Sequence, residues 1–378
     1  MTILANALLL HSEFSGMQYA TELLLQAIGD STTPFIKNNP IEILVSKDYQ
    51  GRLRSKENFH INKLPFSTSN RFKRIHYENF GMPRYYKKSN FQLFHATSNL
   101  LPLLSPKPNV LTIHDLVPVA YPQFVTAETY LYYKSFFSKS VHNADKIIAV
   151  SHKVKSDLIN RFNIDESKIH VIYHGVEPLF KKVVCDQQLS AVRKKYNLPA
   201  TFLLFVGNLE PRKNLIRLMQ AFAEIKTNHQ IDQQLVIVGK KGWKYDAIFN
   251  QQKLNQVAND IVFTGYVDRT DLPAIYSLCD LFIFPSLYEG FGLPVIEAMA
   301  CEAPVLVSNQ GALPEITDHI YPFVDAFDVT DISAKILLLL QDKELRKQNI
   351  RHGVERASYF TWEKTASQTL AVYNTLIQ

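Results

Sequence analysis

Two glutamates, Glu289 and Glu297, stand with seven residues between them in the stretch Pro285-Ser286-Leu287-Tyr288-Glu289-Gly290-Phe291-Gly292-Leu293-Pro294-Val295-Ile296-Glu297-Ala298-Met299-Ala300. A carboxylate offers two acceptor oxygens. One of the pair could take both hydroxyls of a ribose diol while the other bonds sugar hydroxyls or faces charge developing at an anomeric carbon. Taken singly, Glu297 could equally be an acid that favours a helix dipole, and Glu289 a surface loop charge. Gly290 and Gly292 between them turn the balance toward a ligand site. The apolar, aromatic run 280–284 reads as a buried parallel strand, and Pro294 suits a first helical position. Strand, glycine loop and helix follow in that order, with Glu289 expected in the loop and Glu297 in the first helical turn. In an open α/β sheet such a turn lies at the carboxyl edge, where ligands bind, and the helix amino terminus attracts phosphate.

Arg212 and Lys213 form a second constellation. They follow Pro211 and precede a helical pattern in which Leu215, Leu218, Phe222 and Ile225 share one face. Two cations at the positive end of a helix dipole are disfavoured unless something anionic compensates. Glu210 could do so locally. A pyrophosphate is the other candidate, for which Arg supplies a fork and Lys a point charge. In the first half, Gly16 follows the first strand and opens a helix, where it permits either a tight turn or close approach of backbone to a ligand. His114 and Asp115 end another apolar strand; they read as a site histidine, or as a partly buried structural histidine and an ordinary cap.

The Glu289-x7-Glu297 spacing with Gly-Phe-Gly-Leu-Pro inside it resembles the signature of the retaining glycosyltransferases of family 4, also called group 1. The segments Phe205-Val206-Gly207-Asn208-Leu209-Glu210-Pro211-Arg212-Lys213-Asn214-Leu215 and Ser308-Asn309-Gln310-Gly311-Ala312-Leu313-Pro314-Glu315 are similar to family segments as well. The resemblance implies the α/β GT-B fold, two Rossmann-like domains whose parallel sheets face each other across an interdomain cleft. It implies a retaining hexosyltransferase, with Glu289 and His114 at the reacting sugar and His114 as a sugar-hydroxyl or transition-state contact. Gly16, Arg212, Lys213, Tyr266, Val267, Gly290, Phe291, Gly292, Leu293 and Glu297 are the expected substrate-binding positions, with Tyr266-Val267-Asp268 near the base. Many family members carry Arg where this chain has Asn208, so one cation of the usual phosphate clamp is missing here or replaced by Arg212.

Length and composition set the frame. The chain has 378 residues, 46% of them hydrophobic, enough for two to three domains of ~150 residues each. Short apolar runs alternate with amphipathic helical patterns, as in parallel βαβ units. Strands are predicted at 3–10, 41–46, 92–95, 110–113, 146–150 and 171–173, then at 201–206, 234–238, 261–264, 281–284 and 305–308. The expected division is an acceptor domain over 1–176, a polar linker over 177–199 and a donor domain over 200–359. In the resembling fold a terminal helix, here 360–378, packs back on the first domain. Cys185, Cys279 and Cys301 are odd in number and widely spaced, which argues against a disulfide framework or a cysteine zinc site.

His170 and His174 have i,i+4 spacing but no evident third ligand, and the chain has no Asp-x-Asp. Metal-independent transfer without a cofactor is therefore expected. No G-x-G-x-x-G is present, against a nicotinamide-dependent oxidoreductase, and a net charge of +6 without a nucleic-acid motif argues against nucleic acid. A noncatalytic polysaccharide-binding protein of the same fold is the competing reading, opposed by the intact Glu289, Glu297 and Lys213. The expected partners are a sugar nucleotide, UDP-glucose slightly ahead of GDP-mannose, and a glycan or lipid-linked acceptor in surface polysaccharide synthesis. No run approaches the ~18 apolar residues of a membrane span, so a cytoplasmic protein is expected. The basic-aromatic cluster at 71–88 is either a seat on the inner face of the cytoplasmic membrane or a solvated surface with packed aromatics.

Overall fold

The computed structural model describes residues 2–11, 15–254, 257–320 and 322–377. The chain divides into two compact units, one of residues 1–122, 127–175 and 361–378, the other of 123–126 and 176–360. The first holds strands β1 (Thr2–Asn6), β2 (Ile41–Val45), β3 (Phe59–Lys63), β4 (Phe91–Ala96), β5 (Asn109–Ile113), β6 (Lys146–Ala149) and β7 (Ile169–Val171). The second holds β8 (Phe202–Val206), β9 (Gln234–Val238), β10 (Ile261–Gly265), β11 (Leu281–Phe284), β12 (Val305–Ser308) and β13 (Phe323–Val324). The sheet orders are β3-β2-β1-β4-β5-β6-β7 and β10-β9-β8-β11-β12-β13. Every described pairing between these strands is parallel.

Both sheets run outward from their first strand and then reverse, so each has a switch point, between β1 and β4 and between β8 and β11. Loops leaving the carboxyl ends of those strands diverge, and the crevice between them is where doubly wound sheets bind ligands. The central strands are apolar on both faces because helices cover both, and β8 and β11 are buried throughout. On the helix Leu215–His229, the predicted face of Leu215, Leu218, Phe222 and Ile225 is buried. Each such side chain contributes ~1.5–3 kcal/mol relative to exposure.

Several boundaries differ from expectation. The first strand ends at Asn6, because the Asn6 side chain accepts from Leu8 N at 3.1 Å and turns the chain. The seventh strand is 169–171 and not 171–173. Two strands were not foreseen. β3 has only one buried residue in Phe-His-Ile-Asn-Lys and so lacks an apolar run, and β13 is two residues long. The stretch 177–199 is no plain linker: it carries the helix Asp186–Lys195 and belongs to the second unit. The helix Trp362–Asn374 is capped by Thr361, whose side chain accepts from Lys364 N at 3.2 Å, and packs on the helix Gly16–Asp30 of the first unit.

Candidate active site

Past the end of β8, Pro211–Lys213 make a single tight turn before Asn214, whose left-handed backbone (φ 61°) starts the helix Leu215–His229. The Asn214 amide donates to Pro285 O at 3.1 Å and to Ala326 O at 2.6 Å. Leu287 N donates to Arg212 O at 2.7 Å. These bonds fasten the cation turn to the loop that leaves β11, across the switch point. That loop ends at Gly292, where φ of 112° suits glycine, and the helix Leu293–Ala300 begins. A second glycine is required at Gly311: with φ of 64°, a Cβ there would lie 2.5 Å from the backbone N and O of Glu289. Ala312 N donates to Glu289 O at 2.9 Å, so the backbone carrying that acid is clasped from the far side.

The side chains then form a charge quartet. Glu289 Oε1 is 2.6 Å from Lys213 Nζ, and Glu289 Oε2 is 2.6 Å from Arg212 Nη1. Arg212 Nε is 2.6 Å from Glu210 Oε1, and its Nη1 also donates to Tyr288 O at 3.0 Å. Both the local acid and the distant one therefore compensate the two cations. Burial works against the charged form of Glu289, but the Arg212 guanidinium and Lys213 ammonium outweigh it and hold its carboxyl down to about 2. Lys213 lies 4.7 Å from the centroid of the Phe284 ring, and its pKa is lowered by burial and then by Arg212, against the pull of Glu289. Such a buried, neutral set of two cations and two anions can release its cations to an arriving diphosphate only if the anions keep other partners or move aside.

Glu297 corrects an expectation. It is not in the first helical turn, which holds no acid, but one turn further in, and it does not stand alone. Its Oε1 accepts from Arg269 Nη2 at 2.9 Å and its Oε2 from the Tyr276 hydroxyl at 3.3 Å. Arg269 Nε donates in turn to Glu177 Oε2 at 2.7 Å. Burial raises the Glu297 carboxyl above its ordinary value, with Arg269 the main opposing influence.

The model of the group 1 glycosyl transferases matches residues 189–356, and that of glycosyltransferase family 4 matches residues 41–178. O-antigen chain mannosyltransferase B of Escherichia coli is 32% identical over 276 residues, 71% of this chain and 70% of that protein. The chain belongs to the family 4, or group 1, glycosyltransferases. The serotype-specific mannosyltransferase WbdA of Escherichia coli is 29% identical over 282 residues, 72% of this chain but 34% of that one. Sucrose-phosphate synthase from Thermosynechococcus elongatus shares the fold, with a TM-score of 0.78 at 22% identity over 100% of this chain and 99% of that one. The two α/β units are thus the GT-B fold.

In this glycosyltransferase the other expected positions fall into three groups. Gly290 and Phe291 are buried, and the Phe291 ring packs edge-on against Phe360 at 5.7 Å, so its side chain serves the core. Leu293 opens the helix, half-buried. Past β10, Tyr266 is 51% exposed beneath Lys240 Nζ (4.7 Å to the ring centroid), while Val267 is buried. Asp268 is already engaged: Lys195 Nζ donates to it at 2.7 Å.

In the first unit, Gly16 begins the helix Gly16–Asp30 with open space where a Cβ would project, so no close packing demands glycine there. Its neighbour Ser15 is held by Gln18, whose Oε1 accepts from Ser15 N at 2.7 Å; Phe14 lies outside the described residues. His114 is buried just past β5, its Nε2 2.9 Å from Thr97 O and its ring stacked on His174 at 5.3 Å. Burial lowers its pKa to about 4, so the ring is neutral; a carbonyl only accepts, so Nε2 carries the proton and Nδ1 is the acceptor. Asp115 caps the next turn, accepting from Val117 N at 2.9 Å. Among the described residues, no group of three His, Cys, Asp or Glu side chains could hold a metal ion.

Arg269, Tyr276 and Glu177 were not singled out from the sequence. The one available signal was an arginine in the loop after a strand, three residues beyond Tyr266, at the edge where ligands bind.

Proposed function

We propose that this glycosyltransferase moves a mannosyl group, with retention of configuration, from GDP-mannose to a glycan or lipid-linked acceptor in the assembly of a surface polysaccharide. The observation that carries the reading is the buried quartet at the β8–β11 switch point: Arg212 and Lys213, on the turn leaving β8, are charge-balanced by Glu289 from the loop leaving β11. In this reading Lys213 and Arg212 neutralise the departing diphosphate, and Glu289, relieved of them, meets the sugar hydroxyls or the charge developing at the anomeric carbon. Glu297 takes the ribose diol. His114 offers Nδ1 as an acceptor for a sugar hydroxyl, a contact and not a general base. Mannose is favoured over glucose by the two mannosyltransferase relatives. The two cations supply the charge that a metal would otherwise bring, so transfer is proposed to be metal-independent.

The test is a transfer assay with GDP-mannose and UDP-glucose, with and without EDTA, run beside a thermal-shift screen of GDP and UDP. GDP at about 100 times its Kd is expected to stabilise the protein by ~2.7 kcal/mol, and turnover with GDP-mannose is expected to be unchanged by EDTA. Turnover with UDP-glucose alone would overturn the donor, loss of turnover in EDTA the metal independence, and indifference to every sugar nucleotide the whole reading.

We also propose that the 71–88 segment seats this enzyme on anionic lipid. It folds as Arg71–His76, a wider turn Tyr77–Gly81 and Met82–Lys88. Its aromatics divide: Tyr77, Tyr85 and Tyr86 pack against Phe66, Phe91 and Phe94, whereas Phe72 is 74% and Phe80 52% exposed. Lys73, Arg84 and Lys87 are exposed on the same segment, and exposed Leu104 follows Leu103, whose N donates to Asn79 Oδ1 at 2.7 Å. Apolar anchors ringed by cations suit an anionic interface. Among the described residues no helix is long and apolar enough to cross a membrane.

A further inference from the structure

A buried carboxylate that is to accept a diol must stay charged and must keep the right lone pairs turned outward. Glu297 has both conditions supplied from outside its own motif. Arg269 Nη2 donates to Oε1 at 2.9 Å and the Tyr276 hydroxyl to Oε2 at 3.3 Å. Each carboxylate oxygen has two acceptor directions, so each is left with one, which is the pair a vicinal diol needs. Arg269 is itself fixed, by Glu177 at 2.7 Å and by the Phe180 ring, 4.7 Å from centroid to guanidinium. The Glu177, Arg269 and Glu297 side chains are only 8%, 11% and 5% exposed.

The charges facing Glu297 are few. Arg269 is the cation that opposes the burial of its carboxylate, Glu177 repels it, and the Tyr276 phenol and Cys301 thiol are both pushed up and so neutral. One guanidinium thus serves two buried acids. Without it, the buried Glu297 carboxylate would lose the cation that opposes its desolvation and would take up a proton more readily.

We propose that Arg269 is a positioning residue for the donor nucleotide. It acts through Glu297, keeping that carboxylate charged and oriented so that its remaining lone pairs meet the ribose hydroxyls, an inference that rests on the donor reading above. Arg269 does not itself touch the reacting atoms. Its removal therefore weakens donor binding and leaves the chemical step almost intact.

The experiment titrates GDP and UDP into the parent protein, Arg269→Gln, Arg269→Lys, Glu297→Gln and the Glu297→Gln/Arg269→Gln double variant between pH 6 and 9, with steady-state kinetics beside it. Arg269→Gln is expected to bind the preferred nucleoside diphosphate about tenfold more weakly at pH 7, the worth of a charged hydrogen bond. The deficit shrinks as pH rises and Glu297 regains its charge. Donor KM rises while kcat stays within about threefold, Arg269→Lys falls between parent and Arg269→Gln, and in the Glu297→Gln background the second substitution costs less than about twofold. A loss that ignores pH and persists in full in the Glu297→Gln background would overturn the inference, as would unchanged binding by Arg269→Gln. If Arg269→Gln does not fold, Arg269→Lys with and without Glu297→Gln decides by the same criteria. A parent protein that binds no nucleoside diphosphate overturns the donor reading itself, whereas a parent that binds while Arg269→Gln binds equally well overturns this inference alone.

Discussion

Glu289→Gln is the perturbation that most directly tests the charge quartet. In the folded chain the carboxyl is held from 4.5 down to about 2, a displacement of about 2.5 pH units, or ~3 kcal/mol in favour of the folded state. The sign follows from the direction. A carboxyl whose folded pKa is depressed contributes its full stability above about pH 4.5 and loses it as pH falls toward 2. At pH 7 the variant lacks this contribution, and it leaves Lys213 buried without the carboxylate 2.6 Å from its ammonium. For a unit of this size ~3 kcal/mol corresponds to roughly 6–12 °C in Tm.

Differential scanning calorimetry at pH 7, 5 and 3 measures it. Tryptophan fluorescence assigns the transition, since Trp243 is in the second unit and Trp362 in the first. Only the second unit's transition should fall, the gap to the parent protein should narrow between pH 5 and pH 3, and Lys213→Met added to Glu289→Gln should recover most of the loss, because removing a buried pair together costs far less than orphaning one member. A variant with the parent's Tm at pH 7, or a deficit that does not change on acidification, would refute the quartet as a buried, stabilising assembly.

Two further outcomes are expected. Burial pushes His95 down to about 3, His114 to about 4 and His174 well below its ordinary value, so the first unit holds them neutral, and its stability, complete above about pH 6.5, should drain as pH falls toward 4. His114 alone accounts for ~3 kcal/mol by about 2.5 pH units of displacement, and a Trp362-reported unfolding midpoint that stays flat from pH 7 to pH 4.5 would contradict this. In liposome flotation the protein should rise with anionic but not neutral vesicles, and changing Phe72 and Phe80 to Ser, or Lys73, Arg84 and Lys87 to Gln, should release it; no association, or association untouched by both sets, ends the lipid proposal.

Much of the fold was legible because its signals are local. Buried parallel strands such as 234–238, 281–284 and 305–308 announce themselves as short apolar runs, and their observed limits are the predicted ones. β3 was not legible because an edge strand with one buried residue needs no apolar run, only a neighbour to pair with. The first strand was drawn too long because the apolar residues beyond Asn6 are buried in a turn, and burial was mistaken for pairing. In the candidate site, Glu289, Glu297, Arg212 and Lys213 stood out by residue type and spacing, whereas the packing of the Phe291 ring on Phe360 was not legible, because an aromatic in a glycine loop looks the same in one dimension whichever way its ring turns.

The sequence by itself determined that two βαβ arrays exist, that a glycine loop sets two acids at the end of a strand, and that a cation pair precedes a helix; each depends on periodicity and short-range backbone chemistry. Only the tertiary structure decided which charge meets which. Lys213 and Glu289 are 76 residues apart and Arg269 and Glu297 28 apart, and they meet because the strand order β10-β9-β8-β11 brings their loops to one edge. Electrostatic partnership falls off over a few ångströms, and separation along the chain carries no record of that distance until the sheet is assembled.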